Sequence, residues 1–82
     1  MNHNDNLARL RFLCRRGMKE VEDILFLFLE QHYTHLAFEQ QQQFFKLLQC
    51  EDPQLWDWLV IKNKQPDAKL QDIVTVINDH AI

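Results

Sequence analysis

The segment Arg15-Arg16-Gly17-Met18-Lys19-Glu20 gathers three cations, one carboxylate and the only glycine of the chain into six residues. Two readings suit it. In one, Gly17 sets a tight corner that presents Arg16 and Glu20 together on an exposed ridge, a charged pair able to dock on another polypeptide. In the other, Gly17 is the left-handed residue that stops a helix, Arg16 pairs with the last carbonyls of its own helix, and Glu20 caps the next one. Spacing alone favours the second, because caps and surface charges are far commoner than sites.

No other segment offers a reacting group. His32 and His35 are three apart, but they sit where the helical pattern fails, and no third metal ligand lies near them. Cys14 and Cys50 lack metal-ligand spacing and cannot build a disulfide framework, which suits a reducing, cytoplasmic compartment. Cys14 falls on an apolar helical face, where a thiol packs rather than reacts. The chain has no serine, and Thr34 and Thr75 have no evident base beside them. A single glycine excludes a glycine-rich phosphate loop. No catalytic, metal or cofactor-binding set is expected, and the protein is not expected to be an enzyme.

Charge is unevenly spread. Arg9, Arg11, Arg15, Arg16 and Lys19 stand against Asp5 alone in residues 1–19, a balance of +4, while the remainder carries −7. A basic end of this kind suits an acidic partner surface or a phosphate-bearing ligand. A small helical nucleic-acid-binding or antitoxin-like regulator is therefore the rival function. Against it stand a pI near 5.7, a single aromatic residue (Phe12) among the arginines, and no helix-turn-helix pair.

The elements that must hold these residues read as helices. Apolar residues are 46% of the 82 and charged residues 26%, a globular balance, and one Gly with two Pro argues against a many-turned β fold. The first helix is predicted to start after Asn4 or Asp5 and to end with Arg15 and Arg16 in its last turn. The second runs from about Met18 to Gln31, its run Ile24 to Leu29 apolar on most sides and central to the fold. After a connection at 32–37, the third spans about Phe38 to Gln49. Phe38, Phe45 and Leu48 form its stripe, with Phe44 and Leu47 beside them. Asp52 as N-cap and Pro53 at the first position start a fourth helix that reaches about Ile61. It places Trp56 and Trp58 on different sides, one in the core and one at the surface. A linker, Lys62 to Pro66, leads to Asp67 as the cap of the last helix, about Ala68 to Asn78. There Leu70, Ile73, Val74 and Ile77 fall at i, i+3, i+4 and i+7. The expectation is an all-α, compact five-helix single domain over 1–82. It has no apolar leader and no span long enough for a bilayer.

With these elements in place, the chain resembles the FAD assembly factors of succinate dehydrogenase, the SdhE-type family. Their Arg-Gly-x-x-Glu signature is met by Arg16-Gly17-Met18-Lys19-Glu20. The likeness extends upstream through Ala8-Arg9-Leu10 and Cys14-Arg15, and downstream through Phe44, Leu47 and Leu48. It ends in the block Asp52-Pro53-x-Leu55-x-x-Trp58-Leu59. The resemblance implies a compact domain that binds the flavoprotein subunit of succinate dehydrogenase or fumarate reductase and promotes covalent FAD attachment, and the chain is expected to act as a monomer. The attachment would be self-catalysed, with the FAD belonging to the client and with neither nucleic acid nor membrane insertion involved. It also implies that Arg16, Gly17 and Glu20 contact the partner, with Arg9, Arg15, Met18 and Asp52 on the same face. Gly17 would serve because a side chain there strains the corner and obstructs docking. Ala37 departs from the family, whose third helix often opens with Ser, at a cost of about 1 kcal/mol to that helix start.

Overall fold

The computed structural model describes residues 3–63 and 66–80. Five helices follow one another: α1 (His3–Leu13), α2 (Lys19–His32), α3 (Phe38–Leu47), α4 (Asp52–Leu55, continuing as a π-helical segment, Trp56–Ile61) and α5 (Gln71–His80). A 3-10 turn, Tyr33–His35, joins α2 to α3. No strand occurs among the described residues, so the all-α expectation holds.

Each helix buries one stripe, and the stripes meet in one core. In α2 the buried residues are Val21, Leu25, Phe28 and Leu29, the i, i+4, i+7, i+8 pattern of a one-sided helix. Phe26 and Leu27 of the same apolar run are 43% and 56% exposed, so α2 is not enclosed on most sides as the sequence suggested. In α5 the predicted set Leu70, Ile73, Val74 and Ile77 is buried throughout. The face of α3 is turned from its predicted position: Phe44, Leu47 and Leu48 point inward, whereas Phe38 and Phe45 are exposed. At 100° per residue, Phe45 lies about 100° and Phe38 about 120° from Phe44 around the helix. Once Phe44 is seated against Phe28 and Tyr33, with ring centroids 5.5 and 5.8 Å away, neither can follow it.

Helix ends depart from the simplest capping rules. α1 already runs at His3, ahead of Asn4 and Asp5, and stops at Leu13 rather than at Arg16. At the start of α3, Ala37 has no side-chain acceptor to offer. Only the reverse half of a capping box forms, with the Ala37 N–H donating to Gln40 Oε1 at 3.1 Å. The π segment closes with the Lys62 N–H on the Asp57 carbonyl at 2.9 Å, five residues back, and Lys62 takes a left-handed φ of 62°. Asn78 of α5 donates to the Trp58 carbonyl at 3.2 Å and fastens α5 to this segment. Trp58 is buried and Trp56 half-buried, the division the sequence suggested. Asp67 accepts the Lys69 N–H at 3.2 Å and caps the turn before α5. Lys64 and Gln65 of the expected linker lie outside the described residues. No helix among the described residues is long and apolar enough to cross a membrane.

Candidate functional site

The Arg-Gly corner is built from three chain segments. After α1 ends, the Cys14 N–H still reaches the Leu10 carbonyl at 3.0 Å and the Arg15 N–H reaches Phe12 at 3.1 Å. Residues 16 and 17 then cross to α2, whose first helical bond runs from the Glu22 N–H to the Met18 carbonyl at 3.0 Å. The first amides of a helix need acceptors from elsewhere. Met18, the residue before α2, is extended and has no side-chain oxygen to supply one. Asp52, at the start of α4, supplies it instead: its Oδ2 accepts the Gly17 N–H at 3.0 Å and the Met18 N–H at 3.4 Å. Asp52 was expected to cap its own helix; Glu51 holds that position, and the Asp52 carboxylate sits at the positive end of α2.

Arg16 completes the lock. Its backbone N–H donates to Glu22 Oε1 at 2.8 Å, and its Nη2 donates to the Leu48 carbonyl at 2.6 Å. Leu48 follows directly on α3, where carbonyls lack helical partners, so the guanidinium caps α3 at its negative end. Arg16 Nε lies 3.6 Å from Asp52 Oδ1, close enough for ionic attraction and too far for a hydrogen bond. Only 15% of the Arg16 side chain and 22% of the Asp52 side chain meet solvent. A cap for α2 and a cap for α3 thus hold each other, and the corner is braced from both sides.

Neither sequence reading describes this arrangement fully. Arg16 is not displayed beside Glu20 on a ridge: it turns inward as a strut, while Glu20 is exposed on the first turn of α2. Nor does Arg16 bond the carbonyls of its own helix, since its partners come from α3 and α4. Gly17 is exposed and does not adopt a positive φ, so the expected left-handed stop is absent. A Cβ built on Gly17 would meet Asp52 Oδ2 at 3.5 Å, ordinary contact. A small side chain there therefore strains nothing, so backbone strain is not the reason for glycine.

The structure brings Arg16, Gly17, Met18 and Asp52 into direct contact. Arg15 and Glu20 stand exposed on either side of them. Arg9 lies apart, on the α1 wall of a groove shared with α3. Sequence reasoning missed Glu22, because an acid near a helix start looks the same whether it faces the dipole or bonds a preceding amide. It also missed the Leu48 carbonyl, which carries no side-chain signal.

Beneath the corner Cys14 is fully buried, and desolvation pushes its thiol up to about 11, against the pull of Arg16. Burial raises the Cys50 thiol as well. Both effects disfavour the thiolate that nucleophilic chemistry requires. No group of three or more His, Cys, Asp or Glu among the described residues could hold a metal ion. Three of the five N-terminal cations are engaged internally. Arg11 pairs with Glu30 at 2.6 Å, Arg16 with Asp52 and Lys19 with Asp23 at 3.2 Å, which leaves little of a continuous phosphate-tracking stripe.

Residues 8–81 match the family model Sdh5, described as flavinator of succinate dehydrogenase. The FAD assembly factor SdhE of Yersinia pseudotuberculosis is 38% identical over 73 residues, covering 89% of this chain and 83% of its own. That of Serratia is 37% identical over 73 residues with the same coverage. That of Shewanella oneidensis is 37% identical over 76 residues, 93% of each chain. The match runs from the middle of α1 through α5 and includes the braced corner: this chain belongs to the Sdh5 family, the flavinators of succinate dehydrogenase.

Proposed function

We propose that this protein docks on the flavoprotein subunit of succinate dehydrogenase and promotes covalent attachment of FAD to it. The observation that carries this reading is the correspondence of residues 8–81 to the flavinator family. The corner supports it physically. The Arg16–Asp52 lock spends the motif's arginine on rigidity and leaves Gly17, Arg15 and Glu20 outside, as a preformed surface with little to order on binding. The protein contributes no acid, base or nucleophile. The bond forms between client and flavin by the client's own chemistry, and the assembly factor holds the client where the reacting atoms meet.

In this reading the FAD is the client's, the fumarate reductase flavoprotein is a second client, and the protein works as a cytoplasmic monomer. Gly17 is the point of closest approach, since any longer side chain projects from an exposed corner. The test is the fluorescence of flavin that stays on the denatured dehydrogenase subunit, made in cells with and without this protein. A strong loss of retained flavin in its absence is expected; equal labelling would refute the function.

A further inference from the structure

We propose that the groove between α1 and α3 is a second docking element, which takes an acidic segment of the client bearing an apolar or aromatic side chain. The proposal rests on the docking function above and names the chemistry of what docks. The groove has a volume of about 440 Å³ and is lined by Arg9, Leu10, Tyr33, Phe38, Phe45 and Lys46. Its floor is apolar, from buried Leu10 and half-buried Tyr33. Phe38 and Phe45, seven residues apart, share one stripe of α3 and stand 71% and 41% exposed beside it. This stripe looks like core in the sequence, yet no element among the described residues covers it. Aromatic rings held this way are the usual anchors of interfaces.

Charge identifies the occupant. Arg9 and Lys46 rim the groove, both exposed, and neither has a carboxylate partner among the described residues, whereas Arg11, Arg16 and Lys19 each have one. Two such cations on opposite walls of an aromatic channel complement carboxylates flanking an apolar side chain.

The test measures binding of the purified flavoprotein subunit to the wild-type protein and three variants: the double reversal Arg9→Glu with Lys46→Glu, Phe38→Ala, and Gly17→Arg. Binding is read at about 50 and 200 mM salt, with thermal melts as folding controls. The double reversal is expected to weaken binding about tenfold or more at low salt and to flatten its salt dependence. Phe38→Ala is expected to weaken it about fivefold, with no change in the melt. Groove variants that bind within about twofold of wild type, while Gly17→Arg abolishes binding, would overturn the groove and leave the corner intact. Wild-type protein that fails to bind at either salt would overturn both proposals. Self-association that the double reversal abolishes, with client affinity unchanged, would assign the groove to a second copy and overturn the inference.

Discussion

Removal of the Asp52 carboxylate tests whether the corner is braced as described. In Asp52→Ala the Gly17 and Met18 amides lose their acceptor, and Arg16 Nε loses its ionic partner. The Gly17 amide is exposed and water can replace its bond, so that loss resembles removal of a helix cap, about 1 kcal/mol. The Met18 bond, at 3.4 Å, is long and adds a few tenths. The ion pair is only partly exposed and adds up to about 1 kcal/mol, because the Arg16 charge stays behind without compensation. The total is about 2 kcal/mol, and for a domain of this size each kcal/mol moves Tm by about 4–8 °C. Urea titration and thermal melts followed by circular dichroism give the number. Asp52→Asn keeps an acceptor but not the charge, so it is expected to lose about half as much. A change below about 0.5 kcal/mol in Asp52→Ala would mean that the corner holds its shape by other contacts.

Gly17→Ala is expected to leave stability within about 0.5 kcal/mol of wild type, since its Cβ meets only Asp52 Oδ2 at contact distance; a melt checks this. Gly17→Arg is expected to fold and to fail in flavin attachment, read from retained fluorescence on the client. Phe44→Ala removes a fully buried ring and is expected to cost about 3–5 kcal/mol by urea titration, enough to leave much of the protein unfolded. An aromatic disulfide reagent at pH 8 is expected to label Cys50 first and Cys14 only on unfolding, as burial dictates. The Cys14 thiol titrates higher in the fold, at about 11 against an ordinary 9.0, so the folded state holds that proton more tightly. Its contribution to stability is intact below pH 9 and is lost as pH rises from there toward 11, which melts across that range can follow.

Local pattern carried most of the architecture. The buried face of the last helix was legible because Leu70 to Ile77 keep one period, although the helix begins at Gln71 rather than Ala68, and Asp-Pro at 52–53 marked the fourth helix start. The misreadings share a cause: each depended on a partner far away in the chain. The end of α1 falls early because Arg16 is drawn to Leu48, 32 residues on, and the non-helical turn at 15–18 lets it reach. Asp52 has the type and position of a local cap, but its carboxylate serves Gly17, 35 residues back. Phe38 and Phe45 resemble core at helical spacing, and only the seating of Phe44 decides which face turns inward. The π winding at 56–61 leaves no mark on composition, and its left-handed end falls on Lys62, where no glycine advertises it. Of the candidate site, the motif was legible as residues; that its arginine braces the corner against α3 and α4 was not.

The most direct measurement combines the purified apo flavoprotein subunit, FAD and this protein, and follows covalent flavin with time on denaturing gels. Wild-type protein is expected to accelerate attachment strongly, and Gly17→Arg, equally folded, is expected to leave the rate at that of subunit and FAD alone. Attachment that proceeds as fast without the protein, or as fast with Gly17→Arg, would contradict a docking corner built around Gly17.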